Sequence, residues 1–376
     1  DMTNAEIVLT ADMPADWSAS FTINGNTYTG STTVSIDEGD LANISLNVTP
    51  GATPELAELK LEIFNADNAA SIPARMLYYV ISGITDLVVN NQATYGNGNA
   101  YGSYDFEEYI PMGLDLAGNT TYTSTTDIIM QKGLEANALN YVKYIYYNVA
   151  WTFPSITPDE TGVLEDFLDN GGRLFISGQD IGWEIMDPGS FYLDPATESF
   201  YTNYLHAGYV TDAAAGATQL TPVPGDPYFA TAGSSTIKKN YGPSYFFPDQ
   251  LEVIDAYGAP IFYYNDTESK VAGIRAEKDN YKIVYLGIGI EMIMDEGVRS
   301  QVMKLVHDYF RDGVTGIAFD NAMQSLLGNI YPNPAGNNAT IELQNIDKPM
   351  RMVITDLAGQ TVLTREIPTG AEKVQI

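Results

Sequence analysis

Thr157-Pro158-Asp159-Glu160-Thr161-Gly162-Val163-Leu164-Glu165-Asp166-Phe167-Leu168-Asp169-Asn170-Gly171-Gly172-Arg173-Leu174-Phe175-Ile176-Ser177-Gly178-Gln179-Asp180 reads as a helix, a stop and a buried strand. Thr157 can cap the helix, Pro158 suits its first position, and Glu160 completes a Thr-x-x-Glu capping box. Val163, Leu164, Phe167 and Leu168 form one apolar face, and Gly171-Gly172 stop the helix. Arg173-Leu174-Phe175-Ile176-Ser177 follows as a short apolar run, the pattern of a strand covered on both faces.

The same grammar extends on either side, from about Thr85 to Gly313. Asp86-Leu87-Val88-Val89-Asn90 and Tyr144-Ile145-Tyr146-Tyr147-Asn148 read as earlier strands, and Ile283-Val284-Tyr285-Leu286-Gly287-Ile288 as a late one. A second helix follows, with Val298, Val302, Leu305, Val306 and Tyr309 on one side. Alternating strands and helices predict a parallel sheet with helices on both faces. The stretch from Asp187 to Gln250, rich in Pro, Gly, Ala and Tyr, reads as an insertion of loops with a small helix around Phe200 to His206.

Ahead of this region, residues 1–84 read as β-sandwich. Ile7 and Leu9, Phe21 and Ile23, Val34 and Ile36, Ile44, Leu46 and Val48, and Leu59, Leu61 and Ile63 alternate with polar residues, which puts one set on a buried face. Asn24-Gly25, Asp37-Glu38-Gly39-Asp40 and Pro50-Gly51-Ala52-Thr53-Pro54 supply the turns. The segment resembles the immunoglobulin-like spacer modules of bacterial surface proteins.

At the other end stand Tyr331-Pro332-Asn333-Pro334, the alternating strand Ala339-Thr340-Ile341-Glu342-Leu343, and a strand closing on an Asp356-x-x-Gly359 turn. Together they resemble the C-terminal sorting domain of type IX secretion cargo, with residues 314–328 as linker and 329–376 as the domain. The resemblance implies the type IX machinery as a partner and an extracellular or outer cell surface location. Family members continue into a final strand pair with a Gly-x-Tyr signature, so the domain is expected to be truncated here. The start at Asp1, without a leader, is expected of a processed product. The fold class expected is therefore multidomain α/β plus β.

Composition fits an exported protein. The 376 residues carry 18 Lys+Arg against 48 Asp+Glu, a formal net charge of -30. Such a surface repels nucleic acid and anionic lipid, both of which rely on basic residues for contact. With Cys 0 there is no disulfide, no thiolate nucleophile and no Cys-ligated metal. No apolar run reaches the roughly 20 residues of a membrane-spanning helix.

The run from Leu164 to Asp180 also resembles the helix, Gly-Gly and strand of class I glutamine amidotransferase-like domains, a flavodoxin-like fold. That family uses a Cys nucleophile after a strand, with a His and a Glu after a late strand. Here the Cys is absent, and Ile176-Ser177-Gly178-Gln179 lacks the Gly-x-Ser-x-Gly elbow. His206 and His307 both lie away from the position of the family's base, so Glu291, near the family's Glu position, has no imidazole to orient. His307 reads as a helix-surface residue. No catalytic residue is assigned.

Binding is then expected at the carboxyl ends of the parallel strands, where ligands of open α/β sheets sit. Those ends offer Asn90, Asn91, Asn148, Trp151, Gln179, Asp180, Trp183 and Glu291. The structural alternative is that these residues make turns and cover helices. Tyr192, Tyr201, Tyr241 and Tyr245 could stack on sugars or simply pack. Asp37-Glu38-Gly39-Asp40 and Asp166 with Asp169 are dense in carboxylates without matching a calcium loop, which leaves no cofactor and room for a weak calcium site. The expected function is a non-catalytic binding or scaffold protein, its ligand a surface glycan or protein, or another copy of itself. The alternatives are an extracellular hydrolase using Ser177 or a carboxylate, and a structural subunit of an extracellular assembly.

Overall fold

A computed structural model describes residues 4–36, 41–93, 103–212, 214, 216–238, 246–312, 327–331, 340–343, 346, 349–355 and 361–375. The chain forms two compact units, Asp1–Phe310 and Arg311–Ile376. It is a multidomain α/β plus β protein. Asp37 to Asp40, Tyr241, Tyr245, Pro332 to Pro334, Asp356 and Gly359 lie outside the described residues.

The first unit opens with β1 (Asn4–Asp12), β2 (Ser18–Ile23), β3 (Asn26–Tyr28), β4 (Ser31–Ser35), β5 (Ile44–Thr49), β6 (Glu55–Asn65) and β7 (Ala74–Ser82). They form two antiparallel sheets, β4-β1-β6-β7 and β3-β2-β5. The alternation seen in the sequence sets the faces: Ile7, Leu9, Phe21, Ile23, Leu59 and Leu61 make the shared core. Asn24 and Gly25 both have positive φ, 49° and 77°, and turn β2 into β3. Asn-Gly suits that place because both central residues of a type I′ hairpin need φ above zero.

The same unit continues as a parallel sheet of β8 (Asp86–Asn90), β9 (Tyr122–Thr126), β10 (Tyr144–Ala150), β11 (Arg173–Gly178) and β18 (Tyr281–Leu286), in the order β9-β8-β10-β11-β18. Every residue of β8, β10 and β18 is buried, as a sheet covered on both faces requires. The helices are α1 (Tyr109–Leu116), α2 (Asp127–Glu135), α3 (Pro158–Asp169), α4 (Ile181–Met186), α5 (Pro195–Asn203) and α6 (Glu296–Arg311). Thr157 and Glu160 form the expected capping box on α3. One core cluster takes in Leu164 and Leu168 of α3, the other Val302 and Val306 of α6.

The insertion differs from its sequence reading. Its helix α5 starts at Pro195, earlier than expected, because Asp194 caps the Ala196 N–H at 2.8 Å and Pro195 takes the first position. It also carries strands: β12 (Ala207–Thr211), β13 (Gln219–Pro222) and β14 (Ser235–Thr236). With β15 (Gln250–Val253), β16 (Gly258–Tyr264) and β17 (Val271–Lys278) they extend the sheet by antiparallel pairing beyond β18. These strands are short or lack clean alternation, so composition alone makes them look like loops.

His307 is buried, not on the helix surface, and its Nδ1 lies 3.0 Å from Asp308 Oδ1. Tyr144 and Tyr146 pack the sheet, and the Tyr146 hydroxyl donates to Asp86 at 3.1 Å without reaching water.

In the second unit, β19 (Leu327–Tyr331), β20 (Thr340–Leu343) and β23 (Lys373–Gln375) form one antiparallel sheet, and β21 (Met350–Thr355) pairs with β22 (Thr361–Ile367). Ile341, Leu343, Ile346 and Ile367 make its core.

Candidate functional site

The ends of β8, β10 and β11 fall in register, Asn90 opposite Asn148 and Asn148 opposite Ser177. Asn148 donates its amide to Asn90 Oδ1 at 2.9 Å and to the Ser103 carbonyl at 3.0 Å. Asn91 donates to the carbonyls of Pro154 and Ser155 at 3.1 and 2.9 Å, which pins the loop after β10. Trp151 donates its indole N–H to Asp180 Oδ2 at 2.6 Å. Gln179 accepts the Phe247 N–H at 3.0 Å. Trp183 is half-buried, edge-on to Phe153. Glu291 is buried in the turn after β18, its carboxyl folded over Gly289.

Asn90 with Asn148 and Trp151 with Asp180 are thus brought together, whereas Asn91 ties its own segment to the loop after β10 and Glu291 folds over Gly289. Phe247, from the insertion, stacks on Trp151 with ring centres 6.0 Å apart. It covers this part of the strand ends with an apolar ring.

Ser177 is spent on structure: its hydroxyl donates to the Ile288 carbonyl at 2.9 Å. His206 bonds Asp255 at 2.6 Å and the Tyr281 hydroxyl at 2.7 Å. Tyr281 begins β18 and Leu286, opposite Ser177, ends it. At about 3.3 Å per residue the two ends lie about 16 Å apart. A Ser177–His206 pair is not formed.

Two groups of acids stand out, and of the first the sequence reading singles out only Asp180. In the first, one oxygen each of Asp180, Asp212 and Asp249 lies within 4.8 Å of the others. Burial pushes the Asp180 carboxyl up to about 8; the Trp151 bond opposes this and the Asp212 charge adds to it. Burial first, then the Asp180 charge, holds Asp249 well above the usual carboxylate range. Asp249 also accepts the Gly182 N–H at 2.7 Å. Asp212 and Asp249 come from the insertion, where nothing local distinguishes them from turn residues.

The second group lines a cavity of about 300 Å³ between the starts of α3 and α5 and the side of α4. Pro154, Ile156, Pro158, Ile185 and Leu193 form apolar walls; Thr157, Thr197, Asp194 and Glu184 are its polar groups. Glu184 is 1% exposed; its Oε2 accepts the Ser155 N–H at 2.7 Å and its Oε1 meets no partner. Burial pushes the Glu184 carboxyl up to about 7, against the Ser155 hydrogen bonds. Glu160 next to it is also raised by burial, although Tyr147 donates to it at 2.6 Å. Phe191, 95% exposed, and Tyr192, 45% exposed, stand at the rim. Tyr192 stacks on Phe153 with centres 6.0 Å apart. Tyr201, by contrast, is fully buried packing.

Residues 329–376 match the family model of the secretion system C-terminal sorting domain. This type IX signal indicates export to the cell surface or extracellular space and contact with the type IX machinery on the way. Among the described residues, no helix is long and apolar enough to cross a membrane. No curated protein matches the sequence. Among solved structures, the chain is similar to a β-galactosidase from Bacillus circulans sp. alkalophilus, at 10% identity and a TM-score of 0.39, over 79% of this chain and 42% of that one. It is similar to the exo-β-1,4-mannosidase Op5Man5 from Opitutaceae bacterium strain TAV5, at 12% identity and 0.34, over 61% and 34%. It is also similar to Agd3, a carbohydrate deacetylase, at 14% identity and 0.35, over 60% and 32%. The chain spans less than half the length of each of these three. TM-scores this low say nothing of what this chain binds or catalyses.

Proposed function

We propose that the chain is an exported, non-catalytic binding protein whose α/β domain takes a glycan in the cavity between α3, α4 and α5. The carrying observation is the cavity itself: apolar walls, the Glu184 carboxyl with one unused oxygen, and the exposed rings of Phe191 and Tyr192 at the mouth. Ligand pockets are mostly apolar with a few convergent polar groups, and this volume lies at the small end of their range. A sugar offers a C–H face for the rings and hydroxyls for Glu184 and Thr157. Among the described residues no Lys or Arg lines the cavity, which disfavours anionic ligands.

The non-catalytic reading is supported by the use of Ser177 as a loop anchor and by the distance to His206. The parallel order, 2-1-3-4-5 along the chain, is that of flavodoxin-like sheets and supports the amidotransferase-like reading of this domain. In this reading residues 1–84 are an immunoglobulin-like spacer, 85–313 the binding domain, 314–328 a linker and 329–376 the sorting domain.

Titration calorimetry with galacto-, manno-, xylo- and chito-oligosaccharides tests it. At least one series should bind, and Tyr192→Ala should weaken that binding about tenfold, within the range for losing one ring contact. No heat with any series, or binding unchanged in Tyr192→Ala and Phe191→Ala, would sink the glycan reading. A peptide ligand displaced by the same variants would replace it with a protein partner.

A further inference from the structure

We propose that Asp180, Asp212 and Asp249 together hold one hard divalent cation, with calcium as the form an exported protein meets. The three come from separate connections, after β11, after β12 and before β15, and the tertiary fold gathers one oxygen of each within 4.8 Å. One oxygen in each of two of them is already fixed, Asp180 Oδ2 by the Trp151 indole and Asp249 Oδ2 by the Gly182 N–H. That leaves Asp180 Oδ1 and Asp249 Oδ1 without a hydrogen-bond partner, although these residues are only 5% and 0% exposed. Buried acceptors in folded proteins are nearly always satisfied, so such oxygens point to a missing group.

A residue outside the acidic set lies beside the same cluster. The Tyr201 hydroxyl is fully buried; it interacts with the Tyr285 hydroxyl, but neither makes a close hydrogen bond. A Cβ added at Gly182 would stand 2.8 Å from that hydroxyl and 3.1 Å from Asp249 Oδ2, so the hydroxyl lies beside the Asp249 carboxyl. A hydrated cation would satisfy the carboxylate oxygens directly and offer a water to a neighbouring hydroxyl. Among the described residues, neither Asp180 nor Asp249 forms an ion pair with a Lys or Arg that could neutralise it.

The ligand chemistry selects the ion. Carboxylate oxygens alone, without imidazole or thiolate, suit calcium or magnesium over zinc or copper. Calcium accepts irregular geometry and completes its shell with water, whereas magnesium demands a near-ideal octahedron. The half-buried Asp212 leaves a route in from solvent. The site is separate from the glycan cavity, and this inference stands or falls independently of that reading. Without a cation the cluster must instead share protons, which is the state the experiment has to exclude.

The full chain, stripped with EDTA and dialysed at pH 7.5, is titrated with CaCl₂ and separately with MgCl₂, followed by scanning calorimetry. One calcium should bind per chain, with Kd of about 10⁻⁴–10⁻³ M as in extracellular modules, and Tm should rise by several degrees. Magnesium should bind more weakly. Asp212→Asn should abolish both effects, and being half-buried it should fold even where Asp249→Asn does not. Asp166→Asn, on the exposed face of α3, controls for diffuse binding to an acidic surface and should leave them intact. Equal calcium heat in the wild type and Asp212→Asn overturns the proposal. So does a calcium-insensitive Tm that Asp212→Asn itself raises, the signature of a proton-sharing cluster.

Discussion

Trp151 donates its indole N–H to Asp180 across 2.6 Å, and so ties the end of β10 to the start of α4. Both residues are buried, and Asp180 itself sits in the left-handed region with φ 63°. The bond orients a carboxylate that stands at the edge of the acidic cluster, with Phe247 stacked on the donor ring.

Trp151→Phe keeps the ring stacking but removes the donor. It should cost about 1–3 kcal/mol of stability, the range for leaving one buried acceptor unsatisfied. Urea unfolding measures this; an unchanged midpoint would show that the bond contributes nothing.

Asp180 and Glu184 set an unusual pH dependence. Their carboxyls are raised to about 8 and about 7, so between the unfolded values near 4 and these values the folded state binds more protons than the unfolded one. Stability in EDTA should therefore fall as pH rises from about 5 to 8 and level off above. Asp255 and Asp308, held low by their histidine partners despite burial, lose their stabilising contribution only as pH drops below about 4. Tm measured across this window should be higher at pH 5 than at pH 8, and Asp180→Asn should flatten the slope. A Tm that climbs steadily to pH 8 in EDTA contradicts the assignment.

Ser177→Ala is expected to act on stability alone. Removing the hydroxyl leaves the Ile288 carbonyl short of a donor and should cost about 1–3 kcal/mol. Glutaminase and peptidase assays should be blank for both proteins. Turnover lost on this substitution would restore Ser177 as a nucleophile.

Gly182→Ala should destabilise by about 1–3 kcal/mol, the usual cost of overpacking. Its Cβ would press to 2.8 Å from the Tyr201 hydroxyl and 2.9 Å from Tyr209 Cδ2. A thermal scan at the wild-type Tm would mean the surrounding rings yield freely.

The sorting domain should be sufficient for export. Residues from Leu327 onward, fused to a periplasmic reporter in a type IX-competent host, should bring it to the cell surface. Surface proteolysis reads the outcome, and periplasmic retention would contradict the role.

Local chemistry made much of the framework legible. The Thr157–Glu160 capping box, the Asn24-Gly25 turn and the apolar runs of β8, β10 and β11 each depend on a few neighbouring residues, and those forces act in any context. The C-terminal match rests in the same way on a short ordered pattern. Tertiary structure decided the rest. The insertion's strands form only because β15 and β16 offer partners for pairing, and their own alternation is too weak to declare them. The carboxylates of Asp180, Asp212 and Asp249 meet because three connections converge on one end of the sheet. Glu184 looks like any helix-surface acid until α3 and α5 bury it. Burial and the field of distant charges are properties of the folded chain, so no reading of neighbours along the sequence could reveal them.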